Sequence, residues 1–272
     1  MLYRQYNPPP PLTSFVECFW YAEGFEGTHQ RERLLPNGES SIIFDLREQP
    51  VRIFDALETG KFVTYAPAIF AGARTDCFVI ETSQQERVIG VQFRPGGAFP
   101  FLAMPASEVS NATFSLDDIW PRQAPLIREA LMNAGSVEAK FAVLEQSLTE
   151  RLRRSLPLHP AVAYAVGQLA RSGEGMLVRD VADHVGLSSR RFIELFREQT
   201  GLPPKAFQRV RRFQGVLRTL RADSVENWTS IAYRCGYFDQ PHFIHDFRLF
   251  SGMTPGEYVA AATLHMNHVP LA

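Results

Sequence analysis

The strongest constraint on this chain is an internal repeat. "VADHVG" at 181–186 matches "IAYRCG" at 231–236, fifty residues on, and "FIELFREQTGLPPKAF" at 192–207 matches "FIHDFRLFSGMTPGEY" at 243–258, fifty-one residues on. The aligned pairs include Phe192/Phe243, Ile193/Ile244, Phe196/Phe247, Arg197/Arg248, Gly201/Gly252 and Pro204/Pro255. The one-residue slip falls between the glycine and the first phenylalanine, in a turn, where an added residue costs little. Two copies do not make a solenoid; they predict a pair of similar helical units.

Each copy has the same grammar. A short helix ends at Gly186 or Gly236 and a few turn residues follow. A residue that can cap a new helix comes next, a serine at 188 or 189 in the first copy and Asp239 in the second. Pro241 falls in the first helical turn, where no internal N–H bond is lost. A helix of about eleven residues then ends at Gly201 or Gly252, where glycine stops helices well. Helix, glycine turn, helix is the helix-turn-helix plan, and it places the two units at about 178–200 and 228–251. On a helical wheel Phe243, Phe247 and Phe250 form one stripe, with Ile244 at its edge and Pro241, His245 and Arg248 opposite. The first copy divides likewise, with Phe192, Leu195 and Phe196 inside and Arg190, Glu194 and Arg197 outside. The stripes predict core. The outward residues are types that reach base edges or phosphates in a major groove, against the blander alternative of a solvated face.

Between the copies lies "PPKAFQRVRRFQGVLRTLRA". A helix from 204 to 221 would be about 27 Å long at ~1.5 Å per residue, long enough to hold two reading helices near one DNA turn apart, ~34–36 Å. Its arginines add to a charge asymmetry. Residues 1–157 carry 15 Lys+Arg against 19 Asp+Glu, while 158–272 carry 13 against 10. The basic excess lies with the repeat, as expected of a half that meets a polyanion. Ser189, Lys205, Arg209 and Arg212 are the candidate phosphate contacts.

His242 and His245, with Asp246, raise a competing reading, since about 60° separates the two histidines on a wheel. The first copy has Arg191 and Glu194 where the histidines sit, so no shared metal site is expected. Cys18, Cys77 and Cys235 are odd in number and far apart, which argues against a disulfide framework and fits a reducing cytoplasm. Cys235 reads as a small buried position rather than a redox sensor. There is no charged segment followed by an apolar one at the N-terminus, and no apolar run of about 18 residues, so neither a secretory signal nor a membrane contact is expected.

From residue 12 to about 95 the pattern is strand-like: "SFVECFWYAE", "SSIIFDL", "GKFVTYAPAIFAG", "DCFVIETS" and "RVIGVQFRPGG" are short β-rich runs split by turn residues. From about 98 the period turns helical, through "AFPFLAM" and "LDDIWPRQAPLIREALMNAG" to a helix at 136–156 with Phe141, Leu144, Leu148 and Leu152 on one face, packed on the strands or on a second copy. "PLHP" at 157–160 breaks the pattern and sets the expected boundary. The chain therefore reads as α+β in two domains: 1–157, a β-sandwich or β-barrel with trailing helices, and 158–272, all-α with two helix-turn-helix units joined by a helix.

The stretches "VRDVADHVGLSSRRFIELFREQTGLPPKAFQRVRRFQ" and "SIAYRCGYFDQPHFIHDFRLFSGMTPGEY", within residues 170–260, resemble the AraC/XylS family of bacterial transcription regulators. The resemblance implies that Arg190, Ile193, Glu194 and Arg197 face DNA in the first unit, and Gln240, Pro241, Ile244, His245 and Arg248 in the second. Family members often carry a basic residue where this chain has Glu194, which could accept from cytosine N4 or pair with Arg190 or Arg197. "LLPNGESSIIFDL" and "FRPGGAFPFL" are similar, more loosely, to a cupin-like sensing or dimerisation domain found in part of that family. Metal-binding cupins gather several histidines; this half has only His29, so no metal or other cofactor is expected. A small-molecule pocket inside the barrel is expected to use Trp20, Phe44, Tyr65, Phe93 and Arg94, each of which ordinary core packing would also explain. The implied partners are double-stranded DNA, a small-molecule effector and RNA polymerase, for a monomer or a homodimer. The alternatives are a cupin-type enzyme with a helical appendage, for which HExxH, GxSxG and glycine-rich phosphate motifs are lacking, and a metal sensor.

Overall fold

The computed structural model describes residues 2–25, 29–58, 60–153, 157–170, 176–222, 227–261 and 265–271. The strands are β1 (Leu2–Tyr6), β2 (Val16–Glu23), β3 (Arg31–Leu34), β4 (Ser41–Asp45), β5 (Val51–Phe54), β6 (Phe62–Tyr65), β7 (Ala68–Ala71), β8 (Phe78–Glu81), β9 (Arg87–Phe93), β10 (Thr113–Ser115) and β11 (His268–Leu271). The helices are α1 (Leu116–Ile119), α2 (Ala124–Asn133), α3 (Val137–Leu152), α4 (Pro160–Leu169), α5 (Val178–His184), α6 (Ser189–Thr200), α7 (Pro204–Ala222), α8 (Trp228–Arg234), α9 (Gln240–Ser251) and α10 (Pro255–Ala261). The expected helix at "AFPFLAM" is only a 3₁₀ turn, Phe99–Phe101.

The strands form two antiparallel sheets, ordered β1-β2-β9-β4-β7-β10 and β11-β3-β8-β5-β6. Among the described residues no ladder joins them, so the expected barrel is instead a pair of open sheets. Counting strands and turns cannot distinguish these outcomes, because closure depends on pairing between the first and last strands.

Side chains alternate across the six-stranded sheet with period two. Phe19, Ile42, Phe44, Phe70, Ile89, Val91 and Phe93 point to one face and form a core with Trp120, Ile127, Leu131, Phe141, Leu144 and Leu148 from the helical segment. The apolar face of α3 is thus spent on the sheet rather than on a second copy, and Leu152 is half-buried at its end. Residues 154–156 of the expected 136–156 helix lie outside the described residues. The opposite face of the sheet looks across a cavity to the second sheet. Trp20 lies flat there because its strand partner is Gly90, where a Cβ would come within 2.4 Å of the indole.

The C-terminal half is not all-α. After α10 the chain returns to the N-terminal half and adds β11 to β3, with Leu271 opposite Arg31 and His268 opposite Leu34. Four residues including Pro270 are too few to show a period, and a proline is tolerated on an edge strand. Val269 is buried there, and His268 Nδ1 lies 2.8 Å from Glu32 Oε2.

Candidate nucleic-acid interface

Both repeat units fold to the same plan. In the first, α5 ends at Gly186 (φ +70°), and the N–H of Leu187 donates to the Ala182 carbonyl at 3.0 Å. In the second, α8 ends at Gly236 (φ +78°), and the N–H of Tyr237 donates to Ala232 at 2.9 Å. Only glycine adopts this left-handed backbone without strain. The next helices are capped by side chains: Ser188 Oγ accepts from the Arg191 N–H and Asp239 Oδ1 from the His242 N–H. These helices, α6 and α9, end at Gly201 (φ +88°) and Gly252 (φ +69°). The repeat extends to a detail the sequence comparison did not single out. Thr200 and Ser251 each send a hydroxyl back to the carbonyl four residues earlier, at 2.8 and 2.6 Å, and each accepts from the N–H two residues on.

The aromatic stripes are core. Phe192, Leu195 and Phe196 pack with Val162, Val181, Ala182 and Phe207. Phe243, Phe247 and Phe250 pack with Val210, Phe213, Ile231, Ala232 and Tyr258, with Phe213 and Phe247 edge to face at 5.2 Å. The opposite faces stay open. Arg190 and Glu194 are paired at 3.0 Å, the arginine side chain 90% exposed, and Ile193 and Arg197 are exposed beside them. On α9, Pro241, His245 and Arg248 are exposed. Gln240 is half-buried and accepts from Thr229 Oγ1 at 2.8 Å, while Ile244 is half-buried against the second core. The two histidines part company. His245 faces out, whereas His242 is turned edge-on to Tyr237 and lies 3.9 Å from Asp246. Among the described residues, no cluster of three or more His, Cys, Asp or Glu is arranged to hold a metal.

The arginines of α7 divide by role. Arg209 donates to the fully buried Asp246 of α9, Nη2 to Oδ1 at 2.6 Å, and lies over the Phe250 ring. Arg212 donates to the Gly236 carbonyl at 2.9 Å and lies over Tyr237. Both were expected at phosphates. Nε and Nη2 of Arg209 and Nη1 of Arg212 make these bonds inside the protein, where they tie the spacer helix to the second unit. Ser189 and Lys205 are exposed. Arg211 crosses to the N-terminal half and pairs with Glu39 at 2.9 Å, each side chain 18% exposed.

The N-terminal half grips both units at equivalent points. Arg33 Nη1 donates to the Ser251 carbonyl at the end of α9, and a Cβ on Gly252 would lie 3.1 Å from that guanidinium. A Cβ on Gly201, at the end of α6, would meet the Ala106 carbonyl at 3.2 Å. Ala73 belongs to the core of the first unit, and Leu35 and Val269 to that of the second. Gln214 of α7 donates to the Pro36 carbonyl and to Asn267. The N-terminal ends of α6 and α9, which carry the exposed Arg190, Pro241 and His245, are left outside these contacts.

The cavity between the sheets has a volume of about 350 Å³. Trp20, Ile43, Ile53, Ile69, Ile80 and Val88 give it apolar lining, and Glu39, Gln92, Asn267 and His268 are among its polar lining residues. Burial raises the pKa of Glu39, against the opposing pull of Arg211. Of the five expected lining residues only Trp20 is present. Phe44 and Phe93 sit on the other face, in the core with the helices; their neighbours Ile43 and Gln92 line the cavity instead. Tyr65 lies on an edge strand outside it, and Arg94 pairs with Glu17 and donates to the Thr13 carbonyl.

Residues 181–261 match a helix-turn-helix domain family, and residues 4–115 match a family described as a domain of unknown function (DUF6597). The arabinose operon regulatory protein of Escherichia coli strain K12 is 27% identical over 198 residues, 66% of this chain and 66% of that protein. The HTH-type transcriptional regulator ArgR of Pseudomonas aeruginosa is 28% identical over 145 residues, 48% of this chain and 44% of that protein. This chain therefore spans just under two thirds of the first relative and less than half of the second. Among solved structures, an AraC-type transcriptional regulator from Chromobacterium violaceum is 27% identical, covering 37% of this chain and 90% of that one, with a TM-score of 0.34. ToxT from Vibrio cholerae is 10% identical, covering 96% and 98%, with a TM-score of 0.44. No helix among the described residues is long and apolar enough to cross a membrane.

Proposed function

We propose that this member of the AraC family of DNA-binding transcription regulators reads two successive segments of one DNA face, under the control of a small molecule bound between its N-terminal sheets. The reading helices are α6 and α9. Arg190, Ile193, Glu194 and Arg197 serve the first segment, and Gln240, Pro241, His245 and Arg248 the second, with Ile244 a minor contributor because half of it is spent on the core. Ser189 and Lys205 supply phosphate contacts. The spacer α7 has 19 residues, roughly 28 Å at ~1.5 Å per residue, so one chain carries both heads at a separation close to a DNA turn of ~34–36 Å.

The observation that carries this reading is the polarity of the two units: the glycine-capped ends of α6 and α9 are held by the N-terminal half, and the N-terminal ends that such units insert into a groove are free. Control by a ligand follows from where the cavity wall lies. Segments 34–37 and 71–74 contribute to that wall, and the same segments place Leu35 in one unit's core and Ala73 in the other's. Gel shifts with genomic fragments, beginning with the region upstream of the chain's own gene, test the reading. A specific, salt-sensitive complex is expected, with log K falling against log salt by a slope of about 0.9 for each phosphate neutralised. Equal and weak affinity for every fragment would sink it.

A further inference from the structure

The two units differ in length by one residue, and the structure identifies it. The first runs Gly186, Leu187 and then the cap Ser188; the second runs Gly236, Tyr237, Phe238 and then the cap Asp239. The matching bonds from Leu187 to Ala182 and from Tyr237 to Ala232 fix the correspondence. Phe238 is the added residue. Its ring joins no core: it is 83% exposed, the most exposed aromatic among the described residues, while Tyr237 next to it is 3% exposed. A turn that needed only length would be served by Gly, Asn or Ser. The position immediately precedes the N-cap of α9, and so lies at the end of the helix that such units direct at base edges.

We propose that Phe238 is a specificity residue that packs on the C5-methyl group of a thymine in the major groove, at the margin of the bases read by α9. This rests on the DNA-reading function proposed above. A phenyl ring has no donor or acceptor and cannot read a base by hydrogen bonding in the plane. The thymine methyl is the one apolar group on a base edge in that groove, and phenylalanine is among the side chains that contact it. The first unit has no counterpart, so the preference is confined to the second half-site.

Selection from a random duplex library with the full-length chain, followed by sequencing, defines both half-sites. Each thymine of the second half-site is then replaced by deoxyuridine, which removes the methyl and keeps the pairing edge. At one position the replacement should weaken wild-type binding about fourfold, the equivalent of one buried methyl. Phe238→Ala should be indifferent to it and Phe238→Leu should retain part of the cost, with the first half-site unchanged in both. Because the ring is exposed, both variants should unfold with the wild-type midpoint by circular dichroism. Uridine tolerated at every position by the wild type, or costing Phe238→Ala as much as the wild type, overturns the assignment while leaving the DNA-reading function intact. A library with no enriched sequence overturns both.

Discussion

Arg209 offers a test that separates two roles for a basic residue on the spacer helix. If it held a phosphate, Arg209→Ala would weaken DNA binding, lower the salt slope by about one, and leave folding nearly untouched. The structure instead gives it a fully buried partner, Asp246, with Arg209 itself 37% exposed. Removing the arginine strands a buried carboxylate, and breaking a buried pair this way costs about 3–5 kcal/mol. The ring contact with Phe250 adds ~0.5–1 kcal/mol. The reverse change, Asp246→Ala, leaves a guanidinium that can turn to solvent, and should cost only about 1–2 kcal/mol. The two single variants should therefore be unequal, with the arginine change the worse. The apolar pair Arg209→Met with Asp246→Leu should recover most of the loss, because no charge is then left buried. Urea denaturation of the four proteins gives their stabilities, and gel shifts at three salt concentrations give the slope. Equal single losses below about 0.5 kcal/mol, with a reduced salt slope, would refute the strut and restore the phosphate role.

Three further outcomes follow from the same geometry. Gly252→Ala and Gly186→Ala both force alanine into a left-handed backbone, but only the first also presses on Arg33; the first should lose more stability than the ~1–2 kcal/mol of the second, measured by thermal unfolding. Burial alone would raise the pKa of Glu32, yet hydrogen bonds from His268, Gln85 and His29 bring it down to about 2. A carboxylate lowered in the fold stabilises above its unfolded value of about 4.5 and loses that contribution as pH falls towards 2, so Glu32→Gln should flatten the acid limb of a stability–pH profile over that window. Val269→Asp puts a charge into the core that β11 shares with the second unit, and should speed proteolysis of the tail while leaving the first unit's unfolding signal unchanged.

What was legible in the sequence was local. Caps, glycine stops and the aromatic stripe are set by neighbours within one or two helical turns, and Ser188, Asp239, Gly201, Gly252 and Phe247 stand where the spacing put them. Alternation along a strand does not say which face meets the cavity, so Ile43 and Gln92 line it where Phe44 and Phe93 are expected. The partners of Arg209, Arg211 and Arg212 were illegible for another reason. Asp246 lies 37 residues from Arg209 and Glu39 lies 172 from Arg211, and charge composition records that an arginine exists, not what it faces. The tail strand failed on length alone.

Those long-range contacts decide how a ligand could act. It can shift an equilibrium only by its difference in affinity for two arrangements, so the cavity controls DNA reading only if its walls differ between them. Leu35, Ala73 and Val269 are each 5% exposed or less, seated in the cores of the reading units. Moving either unit away from the N-terminal half would uncover them, at about 1.5–3 kcal/mol for a leucine or valine, and would part Arg211 from Glu39. Sliding the units while those seats stay filled instead carries segments 34–37 and 71–74 along, and with them the cavity wall. The second course keeps the apolar seats covered, and it is the one through which a ligand bound in the cavity would exert the proposed control. On the proposed control, the separation of the two helix-turn-helix units is set by α7 and the N-terminal sheets together, with Glu39 and Asn267 among the side chains that both line the cavity and bond to the spacer.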